Sequence, residues 1–303
     1  VDYMLTGSLA VLDVAARYRE DFLLRAYQIA ARQIELGKSE SPLAFVVPPA
    51  QRDPPVTARF IEVLMRGGVE VHRAAGAFSA DGRTFPEGSY VIHLAQPFRP
   101  LVKDLLEPQR HPDVRLYPGG PPVPPYDNAG WTLSYQMGLE AVPIEEAFHT
   151  PLVRVDTFPH VAGKVAGAAR YGYALDPRIN NTVVAIERLL SQGHRLERVA
   201  APLDVGGGMW PPGSVVVRNR SGLDRTVRAL AAELGLDVRG LGVRPAGELR
   251  EIRRPRVGIY QTYVTEWVDD WTAGEGWTRF VLDQHQIPHD SIVNSGMRAG
   301  NLR

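Results

Sequence analysis

The chain has 303 residues, 44% of them hydrophobic, and its 34 Lys plus Arg are balanced by 34 Asp plus Glu. That length favours about two domains, and a net charge of zero gives no broad electrostatic footprint for nucleic acid. The absence of cysteine excludes disulfides and thiolate metal sites, and no apolar run reaches the roughly 18 residues that a membrane-spanning helix needs.

Leu9, Leu12, Ala16, Leu23, Ala26, Tyr27, Ala30 and Ile34 recur at helical spacing, which predicts one long helix or two joined ones over 6–36, with Gly37 as C-cap. Such a stripe must be buried against something. Ala44 to Val47 then reads as a buried strand closed by Pro48-Pro49. Asp53 or Thr57 caps a helix with Pro54 and Pro55 in its first turn, ending at Gly67-Gly68. Val69 to His72 alternates like a strand, and Asp81-Gly82 is a turn. Phe85-Pro86-Glu87-Gly88-Ser89 feeds a strand from Tyr90 to Leu94, followed by a short helix from Pro100 to Leu106. A strand, a helix and a strand in this succession predict a right-handed parallel crossover.

Residues 107–170 are irregular. Pro118 to Pro125 forbids a helix or a central strand and reads as a connector. Asp127 is a candidate N-cap for a short helix through Trp131 to Met137, and Val153 to Val155 reads as a strand.

A second unit then repeats the first. Tyr171 to Leu175 opens it, Asn180 or Asn181 caps a helix from Thr182 to Ser191, and Arg195 to Val199 is the returning strand. Trp210-Pro211-Pro212-Gly213-Ser214 leads into Val215-Val216-Val217, matching the earlier turn and strand. Gly193 follows Gly68 at the spacing by which Gly213 follows Gly88. Gly88 and Gly213 suit the third position of a type II turn, where φ is positive. Thr226 to Leu234 is a helix closed by Gly235. A third unit starts with a strand from Arg256 to Tyr260, then a helix from Glu275-Gly276-Trp277 and a strand at Ser291 to Val293.

Candidate chemistry is sparse. His194 and Glu197 have the H-x-x-E spacing of several zinc peptidases, but the duplication aligns them with Val69 and His72, which favours a structural joint with polar side chains. Gly206-Gly207-Gly208 and Gly119-Gly120 do not join a strand to a helix N-terminus, as a phosphate loop should. Glu266, Asp269, Asp270 and Glu275 surround Trp267, Trp271 and Trp277, a cluster that suits a cation or a basic ligand but equally a solvated loop. Arg52-Asp53 and Tyr126-Asp127 can line a crevice at strand ends, and helix capping explains both aspartates equally well. No Gly-x-Ser-x-Gly elbow is present.

Four stretches together carry a family resemblance: VVPPAQRDPPVTARFIEVLMRGGVEVHRA, ADGRTFPEGSYVIHLAQPFRPLVKDLLEPQRHPD, GGPPVPPYDNAGWTLSYQMGLE, and RVGIYQ with EGWTRFVLDQHQIPHDSIVNSGMRAGNL. They resemble the region downstream of the catalytic domain in large bacterial zinc carboxypeptidase-like proteins, of the carboxypeptidase A-like metallopeptidase family. The portion from Arg256 resembles the start of a class I glutamine amidotransferase-like domain, cut short. The resemblance implies zinc in an upstream catalytic domain and export to the periplasm or beyond; the residues themselves leave the compartment open. The family's H-x-x-E, later His and catalytic Glu map onto no residue of this chain, so no catalytic, cofactor-binding or metal position is assigned within it.

The expected fold is α/β: two tandem related units with mostly parallel sheets flanked by helices, preceded by a long helix and followed by a truncated third unit. The expected divisions are a helical segment leaving an upstream domain (1–40), a first unit with its Pro/Gly-rich connector (41–150), a second unit repeating the first (151–250), and an amidotransferase-like beginning (251–303). The expected function is a non-catalytic accessory region of a zinc metallocarboxypeptidase-like protein that supports the peptidase domain or substrate binding. Its expected partners are that domain and a peptide or small-molecule ligand, with no nucleic acid and no membrane span. The alternative is an independent small-ligand-binding α/β module, with its ligand in a cleft between the units.

Overall fold

A computed structural model describes residues 1–125, 130–261 and 271–300, the side chains of 271–273 excepted. The chain divides into two compact units, Val1–Pro159 and His160–Arg303.

The first unit opens with α1 (Asp2–Arg17) and α2 (Arg19–Ser39). Gly37 does not end α2. It lies buried within the helix, where a Cβ would stand 2.0 Å from the carbonyl oxygen of Leu94. The glycine is therefore a point of close backbone approach rather than a cap, and the helix runs on to Ser39. Arg99, itself buried, fixes the same contact by donating to Gln33 Oε1 (3.3 Å) and Glu40 Oε2 (2.7 Å).

Next come β1 (Ala44–Val47), α3 (Pro54–Arg66), β2 (His72–Ala74), β3 (Phe78–Ala80), β4 (Arg83–Phe85), β5 (Tyr90–His93) and α4 (Arg99–Leu106). Asp53 caps α3 by accepting from the Val56 amide at 3.2 Å, with prolines in the first turn as the sequence predicts. Asp81 and Gly82 both have positive φ, which is the geometry of a tight hairpin turn, and they join β3 to β4. After the connector come α5 (Leu133–Gln136), shorter than expected, then β6 (Val142–Ile144) and β7 (Leu152–Arg154). The proposed Asp127 cap lies outside the described residues.

These strands form a five-stranded sheet in the order β6-β1-β5-β2-β7, with every neighbouring pair antiparallel. This corrects the expectation of a mostly parallel sheet. The crossover from β1 through α3 does bring β2 back in the same direction, but one strand away. The turn at Gly88 then returns β5 into the gap between them. This strand order, with two helices on one face, is the split βαβ arrangement of ferredoxin-like folds. The strand expected at Val153 to Val155, within the span assigned to the second unit, instead extends the first sheet as β7, so residues up to Pro159 belong to the first unit.

The second unit runs β8 (Lys164–Ala166), β9 (Gly172–Leu175), α6 (Asn181–Ser191), β10 (Leu196–Val199), β11 (Leu203–Asp204), β12 (Met209–Trp210), β13 (Val215–Arg218), α7 (Leu223–Leu234), β14 (Asp237–Leu241) and β15 (Leu249–Ile252). Its six-stranded sheet has the order β15-β10-β13-β9-β14-β8. Without β8, this is the order of the first sheet element for element, and again antiparallel. Only β8 joins it in parallel, along β14. The remaining segment holds β16 (Val257–Tyr260), α8 (Trp271–Gln284), β17 (His289–Ile292) and α9 (Asn294–Ala299), with β16 and β17 paired in parallel.

Each sheet buries both faces. One face carries the helices: Phe45, Ile92 and Leu94 pack with Phe60, Ile61 and Leu64 of α3, while Tyr173, Leu196 and Val217 pack with Leu189 of α6 and Val227 of α7. The other face carries the hairpins: Phe78 and Phe85 of β3–β4, and Leu203 and Trp210 of β11–β12. The alternation of side chains along each strand makes this two-sided burial possible.

The repeated turn is also repeated atom for atom. Gly88 (φ 84°) and Gly213 (φ 99°) both occupy the left-handed region. The amide of Gly88 donates to Ala74 O, and that of Gly213 to Val199 O, at 2.9 and 2.8 Å. Ser89 Oγ donates to Pro86 O at 2.7 Å, and Ser214 Oγ to Pro211 O at 2.8 Å. Both serines are fully buried, so each hydroxyl needs an internal partner and finds the same one.

Candidate functional site

His194 and Glu197 do not meet. His194 is buried at the start of the second unit's returning strand, where burial and then the Arg220 charge lower its pKa. Glu197, also buried, points to the hairpin face and is held in a two-pronged pair by Arg218, whose Nε and Nη2 lie 2.9 and 2.8 Å from the carboxylate oxygens. Arg218 was not singled out in the sequence, because its pairing with Glu197 depends on the β10–β13 register. Among the described residues, no group of three or more His, Asp or Glu side chains is placed to hold a metal ion.

The same two sheet positions in the first unit hold His72 and His93, whose ring centroids are 6.2 Å apart. His93 also stacks on Phe148 at 5.5 Å. Burial, and then the neighbouring His72, push the pKa of His93 below its ordinary value. One unit thus fills the position with an ion pair and the other with a pair of imidazole rings.

The remaining sequence candidates are structural or lie elsewhere. Gly206 to Gly208 form the tip of the β11–β12 hairpin, where the Gly206 amide donates to Asp204 Oδ1 at 2.8 Å. Gly120 closes a turn onto Tyr117 O. Asp53 caps α3, so Arg52-Asp53 is accounted for locally. Glu275 pairs with Arg279 one turn on, and Trp277 is exposed with its ring edge against Phe280. Tyr126, Asp127, Glu266, Trp267, Asp269 and Asp270 lie outside the described residues, as does the Trp271 side chain.

Two open grooves do stand out, and they occupy equivalent places in the two repeats. In the first unit, a groove of about 630 Å³ runs past Arg73, Gly88 and the strand from Val153 to Val155. In the second, a groove of about 540 Å³ runs past Arg198, Gly213 and the strand from Arg250 to Ile252. Both lie on the helix-bearing face, toward the edge strand beyond the second strand of the motif. Both volumes fall in the range of small-ligand sites.

A second conspicuous surface is apolar. No residue of α1 is buried. Leu5, Leu9, Leu12, Phe22, Leu23 and Tyr27 are each more than half exposed. Only the last part of α2, from Ala30 onward, packs against the first unit. No helix among the described residues is long and apolar enough to cross a membrane. No family model, curated protein or solved structure matches the chain.

Proposed function

We propose that this chain is a non-catalytic accessory region of a zinc carboxypeptidase-like protein, docked on the peptidase domain through the apolar faces of α1 and the first half of α2. The observation that carries the reading is the exposure of those faces. Contiguous apolar surface on this scale marks an interaction site. Leu9 and Leu12 share a face of α1, and Leu23 and Tyr27 a face of α2, as helix-on-domain contacts require. In this reading, zinc and the peptide-cutting groups belong to the docked domain, and the full-length protein is exported. The portion from Arg256 opens a further amidotransferase-like unit, residues 251 and 252 belonging to β15 of the second sheet; the parallel pairing of β16 with β17 around α8 supports that part.

The test uses the chain as it stands. Purified, it is expected to cleave no C-terminal residue from peptides and to retain no stoichiometric zinc after dialysis. A triple variant, Leu9→Glu, Leu12→Glu and Leu23→Glu, is expected to keep the parent's circular dichroism and unfolding midpoint, because these side chains bury nothing in the chain itself. It is expected to lose binding to the peptidase domain supplied in trans. Intrinsic peptidase activity, or undiminished docking by the triple variant, would remove the proposal.

A further inference from the structure

We infer that the groove of the second unit binds an apolar carboxylate, with Arg198 and Arg250 taking the charge and the Val and Ile wall taking the body. The two arginines sit directly opposite one another on adjacent strands, β10 and β15. Like charges at directly opposed positions destabilise a sheet. Arg250 is partly neutralised by Glu248, with contacts of 2.9 and 3.1 Å. Arg198 is exposed, and its guanidinium has no hydrogen-bond or ionic partner among the described residues. Beside them lie Val183 and Ile186 of α6, Val215 of β13 and Ile252 of β15. Val183 is 41% exposed, so part of this wall faces the open groove.

The first unit supplies an internal control. Its equivalent of Arg198 is Arg73, which faces Val153 rather than a second arginine. Arg73 is engaged by its own fold: Nε donates to Gly88 O at 3.2 Å and the guanidinium lies 5.8 Å from the Tyr90 ring. At the position of Tyr90 the second unit has Val215. The framework therefore folds without a cross-strand arginine pair and with its arginine secured. Only the second unit sets two cations face to face beside an apolar wall. A carboxylate relieves that repulsion and accepts from guanidinium donors in the fork geometry arginine favours.

Carboxylates with an apolar body come as aliphatic acids or as peptide C-termini, and the two sources are separable. Calorimetric titration of the full chain is carried out with octanoate, with N-acetylleucine and with the uncharged N-acetylleucinamide. At least one acid is expected to bind at one site per chain, and the amide to bind far more weakly. The stronger acid identifies the source. Arg198→Met, which keeps an apolar stem, is expected to weaken binding about ten- to a hundredfold, the equivalent of one charge-assisted hydrogen bond. Arg73→Met is expected to leave it unchanged. Arg198→Met is also expected to melt no lower than the parent, since it removes the like-charge opposition. Failure of both acids to saturate, equal binding of the amide, or full affinity in Arg198→Met would each overturn the inference. None of these results depends on the accessory role, because docking to a peptidase domain is not measured.

Discussion

Gly37 gives a prediction whose sign separates local preference from packing. In the interior of a helix, alanine is ordinarily favoured over glycine by about 1 kcal/mol. At Gly37 the added methyl would lie 2.0 Å from Leu94 O, 2.2 Å from Leu94 C and 2.5 Å from Ala95 N. All three atoms are backbone, so no rotamer change relieves the contact. Restoring a carbon contact distance of about 3.5–4 Å requires α2 to withdraw from the end of β5. That withdrawal also strains the bonds from Arg99 to Gln33 and Glu40. Overpacking of this kind costs about 1–3 kcal/mol, which equals or exceeds the propensity gain. Gly37→Ala is therefore expected to lower the thermal midpoint, by about 2–4 °C for each kcal/mol of net loss in a domain of this size. Gly7 is the control, since an added methyl there meets nothing within 4 Å. Gly7→Ala is expected to raise helix content without lowering the midpoint. The assay is thermal and urea unfolding followed by circular dichroism. Gly37→Ala melting at or above the parent would refute the close-approach account.

Acid should destabilise the fold through the half-buried His93 and the buried His194. The folded pKa of His93 lies below the 6.5 of the unfolded chain, so the unfolded state binds more protons just below that pH. Stability is then full above the unfolded value and falls as pH drops from about 6.5 toward the folded pKa. His93→Phe is expected to reduce this slope, His194 retaining a contribution of the same sign; an unchanged pH dependence of the urea midpoint would count against it. Arg218→Met is expected to be more destabilising than Arg250→Met, because it strips the partner from the buried Glu197 carboxylate. Equal urea midpoints for the two variants would contradict that ranking. Ser89→Ala and Ser214→Ala should each cost about 1 kcal/mol and add in the double variant. A double variant that loses no more than either single one would show that the two turns are not independent latches.

Much of the architecture is legible in the sequence because its signals are local. The caps at Asp53 and Gly235, the turns at Gly88 and Gly213, and the four apolar strands around them depend on residues a few positions apart. The pairing direction is not local. A strand, a helix and a strand look alike whether the two strands touch or leave room for a third, and here β5 and β13 fill that room. Gly37 misleads for a similar reason: a glycine near a helix end resembles a cap until Leu94, far along the chain, is brought against it. The second unit's groove is the least legible feature. Arg198 and Arg250 belong to no motif, and their opposition is visible only once the β10–β15 register is known.

The placement of β5 and β13 also bears on how this protein can be divided. In each module the first and second strands share no hydrogen bonds with one another, and the later strand bridges them both. A cut just before Tyr90 or Val215 parts the first and second strands from every strand they pair with, since all of those partners come later in the chain. Neither module has a viable half, and useful expression boundaries fall only outside its outermost strands.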